Sequence, residues 1–465
     1  MDKYSKRGHF VLFGPANVGK STIIGYILTH KLTSSEFEKE VIRIKDIVGD
    51  NFQNKRLFSY FLDEVKDEYR KNTESQSGNT YGTSKYVHVK STGDFVLIDT
   101  PGGSEYETQR YKGVALASVG IFAIEIRQLL NLKNKRDKGD SLDYLKAIKD
   151  FFCAWYVWNK LHGPESTIIV VTKCDLAKLP DDFETAKEIL QDIIGDDIDK
   201  CSIIPTSIDI DKRKDFNVFT KIDESWYQGK TLYEEIRSKY FQLPSQTLSE
   251  SLLAFYSKRE NDSINSIRWK INQGVIRSED RYVIAPVLYK EAYTQIKASV
   301  RLLPNKLSGL SSEDELPQLA FPGEIVRTTV HQISTDNSFI PKEDIKILNT
   351  SIIVNEEDTL CRGNFVVINV PLTTCTSSEE QKIKSFKPGT QLSLLWFSKV
   401  LPAKVVGLNF QGDNYCVKLM LLNTEIALPP RLFPKKTLIQ MSPGNDFELY
   451  FNFECWVYSI EKEVN

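Results

Sequence analysis

No apolar run in this 465-residue chain approaches the about 20 residues that a membrane-spanning helix requires. The start, MDKYSKRGHFVLFG, runs into a strand-like segment without the apolar core of a secretory signal. Histidine is scarce, with five in all (His9, His30, His88, His162, His331). Cysteine is odd in number and scattered: Cys153, Cys174, Cys201, Cys361, Cys375, Cys416 and Cys455 form no CxxC and no zinc spacing. These absences exclude a spanning helix, a small disulfide scaffold and a zinc module. They leave a soluble, cytoplasmic protein with reduced thiols as the expectation.

Charge of one sign is lacking too. Lys and Arg number 60 against 62 Asp and Glu, for a net charge of −2. Through Leu243 there are 36 basic and 37 acidic residues, and after it 24 and 25. Neither half carries the excess positive charge that drives counterion release on nucleic acid. DNA is therefore not expected as a partner, and RNA would have to meet a local basic face. What is present is an ordinary globular composition, with 41% hydrophobic and 26% charged residues, enough for several cores. At about 150 residues per domain the length fits about three domains.

The first half alternates apolar runs with helical stretches. Runs at His9–Phe13, Asp94–Ile98, Val119–Ile126, Thr167–Val171 and Ser202–Ile204 are separated by segments such as Asp143–Leu161 and Phe183–Ile194. Unalternating apolar strands between helices predict an α/β domain with a mostly parallel sheet covered on both faces. Near YFQLPS the pattern changes to short β-like runs with Gly, Pro and Asn between them. Such a pattern predicts sandwiches or barrels. With a second break near Pro341–Lys346, the expected division is 1–243, 244–343 and 344–465.

Four motifs point to a nucleotide. Gly14-Pro-Ala-Asn-Val-Gly-Lys-Ser-Thr22 is a GxxxxGK[ST] loop between a strand and a helix. Backbone N–H groups of such a loop turn toward phosphate, the Lys supplies charge and the Ser can ligate Mg²⁺. Gly14, Asn17, Val18, Gly19, Lys20, Ser21 and Thr22 are thus the expected phosphate contacts. FVLIDTPGG places Asp99 at a strand end beside the metal and offers the Gly102 N–H to the γ phosphate. IIVVTKCD supplies Thr172, Lys173 and Asp175, a [NT]KxD tetrad. Its Asp accepts from the N1–H and 2-amino groups of guanine, a donor pair adenine lacks, while the Lys stem packs along the base. IIPTS, ending at Ser207, would place N–H groups near the guanine oxygen. Together they read as GTP/GDP with Mg²⁺.

The chain resembles translation-factor GTPases, specifically the elongation factor 1-alpha class and its relative, the GTP-binding subunit of sulfate adenylyltransferase. GKSTIIGYILTHKL is similar to the family's phosphate loop and first helix, and FSYFLDEVKDEYRKN to the helix leading into the first switch. Gly78-Asn79-Thr80 looks like the family's G-I-T, with Thr80 nineteen residues before Asp99. ESWYQGKTLYEEI resembles the helix that closes the GTPase domain, and the stretch from Phe386 to Leu408 the third domain's opening hairpins. The resemblance implies a GTPase domain followed by two β-barrels. It also implies Mg²⁺ held by Ser21, Thr80 and, through water, Asp99. Loss of the γ phosphate would then release the Thr80 and Gly102 segments, move the barrels and free a partner.

The departures matter as much. Where the family has a water-positioning histidine after DxPG, this chain has Gly103. Glycine can neither orient nor polarise water, so weak or partner-stimulated hydrolysis is expected, with Lys20 and Thr80 in supporting roles. Glu105 is an alternative water-positioning group. Asn17 replaces the family's loop Asp; it reads as a neutral backbone-bonding residue, and in other GTPases an Asn here binds K⁺. Trp155 and Trp158, three apart on a helical stretch, read as core packing. The run Lys133–Lys138 reads as a solvated loop, and Glu313–Glu315 and Glu356–Asp358 as loop surface. The expected partner is macromolecular and met in one nucleotide state. It is the ribosome or tRNA for a translation switch, or an enzyme subunit for a metabolic regulator. A non-hydrolysing paralogue that uses GTP structurally is the third reading.

Overall fold

Strand β1 (Gly8–Phe13) lies at the centre of a six-stranded sheet because its residues are apolar on both sides of the pleat. The computed structural model describes residues 8–62, 85–89, 95–102, 113–114, 117–139, 141–222, 226–243, 253–256, 267–303, 319–320, 325–335, 338–375, 377–397, 399–435, 437–441 and 451–462. Contacts divide the chain into two units, 1–244 with 443–450 and 245–442 with 451–465.

In the first unit β1 is followed by α1 (Lys20–Thr29), α2 (Ser34–Val48), α3 (Leu57–Tyr60), β2 (Lys85–Val89), β3 (Phe95–Asp99) and β4 (Val119–Glu125). Then come α4 (Ile126–Asp137), α5 (Ser141–His162), β5 (Thr167–Thr172), α6 (Asp181–Ile194), β6 (Ser202–Pro205), β7 (Ser207–Asp209), β8 (Lys214–Phe216) and α7 (Leu232–Gln242). The sheet order is β2-β3-β1-β4-β5-β6. Five strands run parallel, and β2 joins the edge antiparallel to β3. Each predicted strand of this half is present within a residue or so of its expected bounds, which places the predicted α/β class on firm ground. Edge strand β2 and helix α2 were not anticipated.

Both faces of the sheet are covered. Phe10 and Leu12 of β1 share a core with Ile23, Ile24 and Ile27 of α1 and Ile236 and Tyr240 of α7. On the other side Phe13 and Phe122 meet Phe152, Trp155 and Trp158 of α5. Burying each such ring contributes about 1.5–3 kcal/mol. Trp155 and Trp158 are core, as expected: both are buried, and the Trp158 indole donates to Thr167 Oγ1 at 2.7 Å. Gly120 is required beside it, since a Cβ there would lie 2.4 Å from the Trp158 ring.

The second unit is antiparallel. It contains β9 (Leu253–Tyr256), β10 (Ile267–Gln273), β11 (Ile276–Arg277), β12 (Arg281–Tyr289), β13 (Ala292–Leu303), β14 (Leu319–Ala320), β15 (Ile325–Thr335), β16 (Ser338–Phe339) and β17 (Ile345–Asn355). Seven of these form one sheet in the order β10-β9-β17-β12-β13-β15-β16, and β10 also pairs with β15, which returns the sheet on itself. A closed six-stranded barrel follows, made by Phe365–Pro371, Asn414–Leu421, Lys399–Gln411, Gln391–Trp396, Thr437–Met441 and Phe451–Glu461 in that spatial order. Leu253, Val283, Ala285, Ile352 and Val354 of the first sheet share a core with Val366, Ile368 and Val417 of the barrel.

Three expectations need correcting here. The break at 343/344 falls ahead of β17, which pairs with β12 and β9 inside the first sheet, so the chain changes sheet only after Asn355. The basic run Lys133–Lys138 is not a loop but largely the last turns of α4, where cations complement the helix dipole. Asp358 also departs from a plain surface reading: its side chain is 8% exposed and ion-paired with Arg431. The acidic run Glu313–Glu315 lies outside the described residues.

Candidate functional site

The parallel sheet aligns the C-terminal ends of β1, β3, β4 and β5 along one edge. Register pairs Leu12 with Asp99, Phe13 with Phe122 and Glu125 with Thr172. Loops leaving adjacent parallel strands at that edge form the crevice where ligands of open α/β sheets sit.

The phosphate-loop residues leave β1 into this edge. Gly14, Asn17 and Gly19 have φ of 137°, 61° and 95°, and the loop needs that backbone freedom to coil tightly. A Cβ on Gly14 would also lie 2.1 Å from the Ala123 carbonyl oxygen. Helix α1 starts at Lys20 with glycine as its cap, so no side chain occupies its first-turn N–H groups. Uncapped N–H groups at a helix start favour an anion. The Lys20 ammonium is buried and donates to the carbonyls of Gly14 at 3.1 Å and Pro15 at 2.5 Å, holding its charge over the loop. Val18 is buried, Asn17 is exposed, and Ser21 and Thr22 are half-buried in the first turn of α1.

Asp99 ends β3 fully buried, and its Oδ2 accepts from the Ser21 hydroxyl at 2.7 Å. The next residue locks the exit of β3 onto β1, with Thr100 Oγ1 donating to Leu12 O at 2.7 Å. Gly102 then presses on the phosphate loop: a Cβ there would lie 2.5 Å from Ala16 Cα and 2.6 Å from Lys20 Nζ. Only glycine fits. Of the remaining residues expected here, Thr80, Gly103 and Glu105 lie outside the described residues.

The tetrad leaves β5 one strand further on. The buried Thr172 hydroxyl donates to Val18 O of the phosphate loop at 2.7 Å and lies 3.3 Å from Ile124 O of β4. Lys173 takes a left-handed φ of 56°, and its ammonium pairs with Glu125 Oε2 at 2.8 Å. Cys174 N–H donates to Thr206 O, and Thr206 N–H donates to Val171 O, so the turn beside Ser207 is tied by one backbone bond to the tetrad and by another to β5. The Asp175 carboxylate projects exposed from this turn. The Cys174 thiol is buried beneath it, and burial pushes its pKa up to about 12. A further clamp comes from Asn217, whose Nδ2 donates to Pro205 O at 3.1 Å.

Two of these residues were not anticipated from sequence. Glu125 had a readable signal, an acid closing the buried run VGIFAI at the C-terminal end of a parallel strand. Asn217 had none, because its partner Pro205 lies twelve residues away across a hairpin.

The donor set suits a hard cation bound mainly through a ligand's phosphates. Ser21 and Asp99 offer a hydroxyl and a buried carboxylate in contact, the oxygen ligands Mg²⁺ takes while keeping water and phosphate in its other positions. Among the described residues no cluster of three His, Cys, Asp or Glu could hold a metal by itself. Nor is any described helix long and apolar enough to cross a membrane.

No protein-family model matches the chain. Elongation factor 1-alpha of Sulfolobus acidocaldarius is 23% identical over 290 residues, covering 60% of this chain and 60% of that protein. Sulfate adenylyltransferase subunit 1 of Aeromonas salmonicida is 21% identical over 297 residues, 62% of this chain and 56% of that protein. The chain thus spans less than two thirds of the length of these curated relatives. In fold, the Ski7 GTPase-like domain of S. cerevisiae, solved with GDP and inorganic phosphate, superposes with a TM-score of 0.68 at 14% identity. That likeness covers 98% of this chain and 97% of that domain. With its phosphate loop, Asp99–Gly102 segment and TKCD tetrad assembled on one sheet edge, the chain is a low-identity relative of the translation-factor GTPases, similar to the elongation factor 1-alpha class.

Proposed function

We propose that the chain is a GTP-binding molecular switch of the elongation factor class, with slow or partner-stimulated hydrolysis. The observation that carries this reading is the 2.7 Å bond from Thr172 Oγ1 to Val18 O. It joins the base-reading tetrad to the phosphate loop, an arrangement that serves a ligand with a base at one end and phosphates at the other. The tetrad's exposed Asp175 selects guanine. Gly14, Asn17, Val18, Gly19, Lys20, Ser21 and Thr22 cradle the phosphates. Ser21, Asp99 and Thr80 hold Mg²⁺, which neutralises phosphate charge when bound. Gly102 brings an N–H to the γ phosphate, and Ser207 borders the base.

Gly103 in place of the water-positioning histidine supports slow intrinsic hydrolysis, because phosphoryl transfer depends on positioning and charge stabilisation. Nucleotide then acts as a long-lived ligand until a partner supplies the missing group. The antiparallel sheets of the second unit would carry the partner surface, with the chain changing sheet after Asn355. A second reading, a GTP-dependent subunit of a metabolic enzyme, is favoured by the likeness to sulfate adenylyltransferase subunit 1.

The test is affinity capture from native lysate with the chain loaded either with a non-hydrolysable GTP analogue or with GDP. Ribosomal proteins or tRNA enriched only with the analogue place it in translation. One enzyme retained in a single nucleotide state, without RNA, makes it a regulatory subunit. Equal capture in both states, or no guanine-nucleotide binding at all, rules out a switch.

A further inference from the structure

We infer that Glu125 is a positioning residue for the nucleotide base, acting through Lys173; the inference rests on the guanine-binding reading of the site. Glu125 ends β4 directly opposite Thr172 in the register of the parallel pair. Its Oε2 lies 2.8 Å from Lys173 Nζ, with the two side chains 17% and 37% exposed. Lys173 itself is fixed at its backbone in the left-handed region, with φ 56°. A four-carbon stem anchored at both ends has lost most of its rotamer freedom before any ligand arrives, and a base laid against it has less entropy to overcome.

The same carboxylate residue also opens α4. Its N–H donates to Gln128 Oε1 at 3.3 Å in a reciprocal capping box. The strand register opposite Thr172 fixes where the backbone of Glu125 sits, the ion pair uses that fixed point to aim Lys173, and the cap serves the start of α4. Thr172, one residue earlier, is bonded to Val18 O and contacts Ile124 O, so strand end, tetrad and phosphate loop form one braced unit. Removing the Glu125 side chain frees the Lys173 stem and also half of the α4 cap, so the two effects have to be told apart. The pair is partly exposed, so its effect on affinity is moderate.

The experiment measures binding of fluorescent GDP to the full chain and to Glu125→Ala, Glu125→Gln, Lys173→Ala and the Glu125→Ala/Lys173→Ala double variant, with thermal stability read alongside. Glu125→Ala is expected to weaken binding about five-fold and Glu125→Gln about two-fold, since its amide oxygen still accepts from the ammonium. In the Lys173→Ala background Glu125→Ala is expected to cost nothing further in affinity. Gln128→Ala separates capping from positioning: it lowers thermal stability and leaves GDP affinity unchanged. Wild-type binding with no loss in Glu125→Ala, or a full additional loss in the double variant, overturns the positioning role. Absence of guanine-nucleotide binding by the wild-type chain overturns the underlying guanine reading instead.

Discussion

Ser21 and Asp99 stand 78 positions apart in the chain, yet the Ser21 hydroxyl donates to Asp99 Oδ2 at 2.7 Å. The contact exists because β1 and β3 are hydrogen-bonded neighbours in parallel register, Leu12 opposite Asp99. The loop after β1 therefore turns over the end of β3 and drops the first turn of α1 beside the carboxylate. On the proposed reading, this hydroxyl and carboxylate at the mouth of the phosphate loop would hold Mg²⁺, Ser21 directly and Asp99 through water.

Ser21→Ala removes one of those oxygens, and Asp99→Asn removes the charge at nearly constant shape. Each is expected to weaken nucleotide binding in Mg²⁺ by at least about ten-fold, or about 1.4 kcal/mol. Titrations repeated in EDTA check the cause. There the variants should approach the wild-type value, and an equal loss with and without the metal would remove Mg²⁺ from the account.

Gly102 is predicted to tolerate no side chain. The Cβ of Gly102→Ala would sit 2.5 Å from Ala16 Cα and 2.6 Å from Ala16 N, both backbone atoms that cannot step aside. The phosphate loop must shift instead, which costs about 1–3 kcal/mol of stability by the usual scale of overpacking. If Gly102 serves the γ phosphate as proposed, the shift should also weaken a GTP analogue more than GDP. An unchanged denaturation midpoint would show that the contact is looser than it looks.

Much of this site was readable from local pattern. The glycines of the phosphate loop, Asp99 at the end of an apolar run and the TKCD tetrad each follow a strand, and a strand buried on both faces announces itself by composition. Pairing partners do not announce themselves. The segment Ile345–Asn355 carries two apolar clusters, IKIL and IIV, around a polar NTS, and only its register with β12 and β9 assigns it to the first sheet rather than to the barrel. Glu125 was missed for a similar reason. The acid closing VGIFAI is visible in the sequence, but its partner is not until β5 lies alongside and brings Lys173 within 2.8 Å. The run Lys133–Lys138 misled because charge density hid a helix end, where basic residues are favoured by the backbone dipole.

Thr172 occupies the position that opens the tetrad, and its hydroxyl is the bond between tetrad and phosphate loop. Thr172→Val keeps the shape and removes the donor, leaving Val18 O without its 2.7 Å partner. Losing a buried hydrogen bond in this way costs about 1–3 kcal/mol. The expected result is a lower denaturation midpoint together with weaker binding of both GTP and GDP. Thr172→Ser, which retains the hydroxyl, should recover most of both. Recovery of stability without recovery of binding would separate the fold's use of this bond from the site's.

Cys174 gives a prediction in pH. Burial raises its thiol from 9.0 to about 12, so the folded chain holds this proton more tightly than the unfolded chain does. The associated stability is fully present below pH 9 and is lost as pH rises from there toward 12. At pH 8 the folded thiol carries almost no thiolate, the species that alkylates. Iodoacetamide should therefore label Cys174 far more slowly in the folded chain than in denaturant, as read by peptide mass spectrometry. Bound GDP should slow the labelling again. Cys174 lies between Lys173 and Asp175, and its own N–H is bonded to Thr206, so a base seated on the tetrad must suppress the local opening that exposes the sulfur. Labelling that is fast in the folded chain and indifferent to GDP would mean that the turn opens freely and cannot be the rigid base platform that guanine recognition requires.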